Sequence, residues 1–184
     1  ELQSFLNEGA KDAVANTMKA CMEGATTTIA KSECKSKSAK EALATSLGKA
    51  NVTDVELEEF LKDGAKAAVG EAMSSCVKAA NADKSKLDKC KSKSARTALE
   101  NSLGEDVSNA DVEMFLQDSA KASAAEAMKA AMASSTGNSA AKEALARGEA
   151  KKALEQSLGV TNITETELQS FLNEGAKDAV ANTM

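Results

Sequence analysis

The side chains of this 184-residue chain best suited to chemistry are four cysteines in two pairs, Cys21 with Cys34 and Cys76 with Cys90. Two cysteines about 14 residues apart can close a disulfide, supply half of a zinc site or lie buried as small apolar thiols. Zinc is disfavoured, because the chain has no histidine and each cluster offers only two thiols. In a third, related segment the matching positions are Ala131 and Leu145, so both sulfurs are lost together and apolar residues replace them. Joint loss is the behaviour of bonded partners, so disulfides Cys21–Cys34 and Cys76–Cys90 are expected, with four buried free cysteines as the alternative. Bonded cysteines in turn imply an extracellular setting or a secretory organelle.

Other chemistry is sparse. Residues 54–63 carry Asp54, Glu56, Glu58, Glu59 and Asp63 against Lys62, whereas residues 83–96 carry Lys84, Lys86, Lys89, Lys91, Lys93 and Arg96 against two aspartates. Acid at a helix start agrees with the helix dipole, but lysine there opposes it. The lysine-rich segment is therefore a candidate contact for the acidic end of a neighbouring unit or for an acidic glycan, with a solvated face as the plain alternative. Asn51-Val52-Thr53 and Asn162-Ile163-Thr164 match the N-glycosylation sequon, contingent on secretion, although each threonine also suits a helix cap. The carboxylates follow surface periodicity without singling out an acid and base pair, and phosphate-binding and calcium-binding loops are absent from the sequence. An enzyme is not expected, nor a metal or cofactor. A net charge of −5 with signs in alternating blocks argues against nucleic acid. No apolar run approaches the roughly 18 residues of a membrane span, and any targeting segment is expected upstream of Glu1.

The elements that hold these residues follow from composition and repetition. Alanine supplies 37 residues, proline, tryptophan and tyrosine are missing, and the aromatics are Phe5, Phe60, Phe115 and Phe171. This composition signals an all-α chain. Residues 1–18 recur identically as 167–184, an offset of 166, and the phenylalanines are spaced by 55, 55 and 56 residues. Three subrepeats of about 55 residues therefore make one longer period, and periods of this size belong to stacked arrays.

Each subrepeat reads as an antiparallel helical hairpin. Thr53 with Glu56, and Thr164 with Glu167, form capping boxes, and Ser108 with Asp111 gives a weaker version. From Leu57 an apolar stripe at spacings of three and four predicts a helix of about 26 residues, with Phe60 as its bulky buried anchor. A second helix is expected from near Asp83 to Leu103, ended by Gly104, and Gly48 and Gly159 follow the same Ser-Leu dipeptide. The boundaries are 1–50, 51–106 and 107–161 for three hairpins, the third lacking its cysteine pair, with 162–184 opening the next. An α-solenoid or rod is the expected assembly.

The succession of FLKDGAKAAVGEAM, SSCV, CKSKSA and SLG resembles the alanine-rich tandem repeats of giant structural proteins in protists. The resemblance implies a repetitive extracellular scaffold and leaves the organelle open. The expected function is structural, a segment of a longer array that builds a fibre, filament or appendage shaft from disulfide-stapled hairpins, with other copies of the repeat as partners. The competing expectation is a helical scaffold that docks many copies of a partner, for example in a contractile fibre.

Overall fold

The computed structural model describes the backbone of residues 2–136 and 138–181, and the side chains of residues 7, 9–136 and 138–174. Every regular element among them is helical. The first arm of the first copy is α1 (Leu2–Gly24), and its second arm is α2 (Thr28–Glu33), a π-helical segment (Cys34–Ala39) and α3 (Lys40–Leu47). The second copy repeats this order as α4 (Asp54–Ala80), α5 (Lys84–Lys89), a π-helical segment (Cys90–Ala95) and α6 (Arg96–Leu103). The third copy is simpler, with α7 (Asn109–Ser134) and an unbroken α8 (Ser139–Leu158), and α9 (Glu165–Ala181) follows.

Local chemistry sets these limits. Thr53 caps α4 by accepting the Glu56 amide at 3.2 Å, while the Glu56 carboxylate takes the Thr53 amide at 2.9 Å. Ser108 with Asp111 and Thr164 with Glu167 repeat the reciprocal pair. Asp83 and Asn138 accept amides at the starts of α5 and α8. Gly48, Gly104 and Gly159 end the second arms with φ of 63°, 71° and 59°, a left-handed conformation that costs an L-residue about 1–2 kcal/mol.

The chain divides into two compact units. The first comprises Glu1–Val69 and Arg96–Val112. Here α1 packs against α3, the first π-helical segment and α6. Its buried side chains, Ala10, Val14, Met18 and Met22, recur every four residues and line one narrow stripe. Leu43 and Leu99 are fully buried in the same unit, and each such leucine contributes about 1.5–3 kcal/mol.

The second unit comprises Gly70–Ala95 and Glu113–Met184. Its core gathers Ala120 and Ala124 of α7, Ala150 and Leu154 of α8, and Ile163 and Leu168 around the start of α9. Three alanines and small residues such as Gly70 and Ser119 allow close helix approach, and a Cβ added at Gly70 would stand 2.6 Å from Ser119 Oγ.

Candidate functional site

Cys21 and Cys34 are bonded, with their Cα atoms 5.7 Å apart, and Cys76 and Cys90 are bonded at 5.6 Å. Each bond ties the end of a first arm to the start of the second, and no free cysteine remains. A hydroxyl attends each staple at the same place in the repeat, Ser38 near Cys21 Sγ at 3.9 Å and Ser94 donating to Cys76 Sγ at 3.5 Å.

The π-helical segments begin at the inner cysteines. Hydrogen bonds that span five residues instead of four widen the turn and bring residues five apart onto one face. Cys34 and Ala39 are accordingly buried together, as are Cys90 and Ala95. In the uncrosslinked third copy the helix stays α, and the buried series becomes Ala146, Ala150, Leu154 at steps of four. Leu145, the residue aligned with Cys90, is thereby turned outward and is 46% exposed, while Ala131 stays buried. Replacement of the cysteines by two apolar residues therefore does not preserve an apolar contact across the pair, because the change of helix type moves the second position out of the interface.

A second recurring arrangement involves the glycine corners. In the first unit a Cβ at Gly104 would stand 2.8 Å from Met18 Cε and 3.3 Å from the Lys31 carbonyl oxygen. In the second unit a Cβ at Gly159 would stand 3.0 Å from Met73 Cε, with Lys91 and Val77 beside it. Met18 and Met73 are both fully buried. The two contacts are the same contact one subrepeat apart.

What surrounds each corner differs. Glu105 and Asp106 follow Gly104, and they pair with Lys35 at 3.4 Å and Lys31 at 2.9 Å. Asp106 raises the Lys31 pKa, chiefly through this hydrogen bond. Val160 and Thr161 follow Gly159 and instead line an apolar groove with Val77 and Leu87. Among the described residues no carboxylate lies at ion-pair distance from Lys84, Lys86, Lys89, Lys91 or Lys93. The Gly159 corner beside Lys91 has Val160 and Thr161 where the Gly104 corner beside Lys35 has Glu105 and Asp106.

The acidic segment 54–63 makes other contacts. Asp54 pairs with Lys40 at 2.6 Å, Glu56 with Lys49 at 2.6 Å, Asp63 with Lys11 at 3.0 Å, and Glu58 with Lys62 within its own helix. The Lys49 ammonium, followed by the Thr53 amide and hydroxyl, holds the Glu56 carboxyl down at about 2. Hydrogen bonds from Ser108 and Thr164 likewise lower Asp111 and Glu167. Glu59 is exposed.

Of the phenylalanines, Phe115 is buried at 6%, whereas Phe60 and Phe171 are half-buried. The deepest side chain beside Phe60 is its neighbour Leu61, at 2%, because the core stripe of α4 runs Leu57, Leu61, Ala65, Val69, Met73 in steps of four. The Phe5 side chain lies outside the described residues. Asn51 and Asn162 are exposed in the short links before α4 and α9, and Asn162 has φ of 65°. The threonine of each sequon is engaged in its capping box.

Among the described residues no group of three His, Cys, Asp or Glu side chains converges as a metal site requires, and no helix is long and apolar enough to cross a membrane. No protein-family description, curated protein or solved structure matches the chain. The class that the fold defines is all-α, with two disulfide bonds that each join a pair of helical arms.

Proposed function

We propose that the chain is a segment of a structural array, in which helical hairpins of about 55 residues stack in tandem into an α-solenoid or rod that forms an extracellular fibre, filament or appendage shaft. The observation that carries this reading is the recurrence of one contact, Gly104 on Met18 and Gly159 on Met73, at the subrepeat spacing. In each case the corner after one hairpin rests on the hairpin before it, which is how a stacking unit propagates. The 18 residues shared by 1–18 and 167–184 extend the same pattern. Disulfides fit a role outside the reducing cytosol, and they reinforce the tip of a hairpin whose stripe is largely alanine. The array acts through architecture instead of catalysis.

The test is a series of chains with one, two, three and six subrepeats, followed by circular dichroism melting. In a stacked array each added interface contributes, so the melting temperature rises with repeat number. If one hairpin melts where six do, each hairpin is an independent unit, and the scaffold that docks a separate partner becomes the better reading.

A further inference from the structure

Lys86, Lys89 and Lys93 follow one another at steps of three and four along the second arm of the second copy. That spacing sets them on one face, turned away from the buried Leu87, Cys90 and Ala95. All three are exposed, and among the described residues none has a carboxylate at ion-pair distance. Nor is this exposure owed to an absent neighbour, because the following corner is in place in the same unit, with Gly159 on Met73 and beside the Lys91 side chain. Asp54, Glu56 and Asp63 of the acidic segment already pair with Lys40, Lys49 and Lys11.

The fold does not need these charges. Aligned on the helix caps Thr27, Asp83 and Asn138, the stripe positions hold Ala30, Glu33 and Lys37 in the first copy and Ala141, Ala144 and Gly148 in the third. Like charges at these spacings repel, and near a helix start they also oppose the helix dipole. The second copy therefore carries an uncompensated positive stripe where the same arm forms without one. Its exposed surroundings are Ser85, Asp88 and Ser92, with no aromatic or large apolar side chain among them. The centre of a protein interface is built on aromatic and apolar anchors and is poor in lysine, so a folded protein fits this face badly. Nucleic acid would find neither an aromatic nor an arginine to stack on. What the face offers is point charges and hydroxyls, which the anionic groups and hydroxyls of an acidic sugar chain can meet.

We infer that Lys86, Lys89 and Lys93 bind a linear acidic polysaccharide, one that carries sulfate or uronic carboxylate groups along its length. The helical rise spaces these lysines about 5 Å apart along the arm, close to the advance of one sugar residue. The choice of a glycan rests on the extracellular part of the reading above, whereas the binding itself does not require stacked hairpins. With one stripe per 166-residue period, a fibre of such repeats gains regularly spaced attachment points for a matrix polymer.

The test is a titration of the disulfide-bonded chain with two polysaccharides, heparin for sulfate and hyaluronan for carboxylate, and with polyglutamate as an acidic polypeptide. Binding to at least one polysaccharide at physiological salt, weakening as salt rises, is the expected result, and the one preferred identifies the anionic group. The triple variant Lys86→Ala, Lys89→Ala, Lys93→Ala should lose about tenfold or more in affinity, as three cations leave the contact with a polyanion. A control, Lys19→Ala, Lys37→Ala, Lys129→Ala, removes the same charge from three separate exposed sites and should lose far less. Circular dichroism melts of the stripe variant should lie at or above those of the unaltered chain, because repulsion is relieved and alanine favours helix. Absence of polysaccharide binding at physiological salt, equal losses in the two triple variants, or tighter binding to polyglutamate overturns the proposal. A chain that binds neither polysaccharide, yet melts higher with each added subrepeat, removes this surface and leaves the array standing.

Discussion

Met18 Cε lies against the backbone of Gly104, so close that a Cβ on the glycine would stand 2.8 Å away. The glycine serves two purposes there, as a left-handed stop for α6 and as a flat seat for the methionine of the preceding copy. Gly48 has the same left-handed φ without the methionine. The pair of sites therefore separates backbone strain from packing. Gly48→Ala should lose only the left-handed cost, about 1–2 kcal/mol. Gly104→Ala should lose that and about 1–3 kcal/mol more from overpacking. Urea melts of the two variants measure the difference, and equal losses would remove the packing role from the Met18 contact.

The staples predict a second outcome. Replacing Cys76 and Cys90 together by serine opens a loop of 14 residues and should cost about 3 kcal/mol. Thermal melts with and without reductant check this. The unaltered chain should melt lower when reduced, and a chain lacking all four cysteines should be indifferent to reductant. Indifference of the unaltered chain would mean that the bonds contribute nothing.

The capping boxes make stability depend on pH. Glu56 titrates at about 2 in the folded chain, below its ordinary value of 4.5, so its carboxylate favours the folded state. That contribution is complete above the ordinary value and is lost as pH falls from there toward about 2. Asp111 and Glu167, also lowered, act in the same sense. Denaturant melts at pH 6 and pH 2.5 should show Glu56→Gln less stable than the unaltered chain at the higher pH, with the gap narrowing at the lower. A gap of constant size would exclude the carboxylate as its source.

Burial separates the phenylalanines. Phe115→Ala empties a buried site and should cost about 3–5 kcal/mol. Phe60→Ala, at a half-buried site beside the deeper Leu61, should cost roughly half as much. Equal losses would show that Phe60 carries as much of the core as Phe115.

Short-range signals were legible in the sequence. Thr53 with Glu56, the glycines after Ser-Leu and the cysteines at the ends of adjoining helices each act within a few residues, and composition sufficed for the all-α class. The π-helical segments were missed because CKSKSA contains no glycine or proline to mark a break. Their one trace was the step from Cys90 to Ala95, five residues where an α-helical stripe allows three or four. Phe60 was overvalued for its size, whereas a run of steps of four through Leu61 sets the buried line of α4. The partners of the lysines in the first copy's second arm are hidden too. Lys31 meets Asp106 across 75 residues, a pairing set by the fold of the first unit and not by any local pattern.

The central claim, that hairpins stack into a continuous rod, is tested most directly by small-angle X-ray scattering of chains with three and six subrepeats. A rod predicts that the cross-section stays constant while the maximum dimension about doubles. A globular packing of the same residues predicts growth in overall radius of only about 1.3-fold. A maximum dimension that follows the second course would contradict the array.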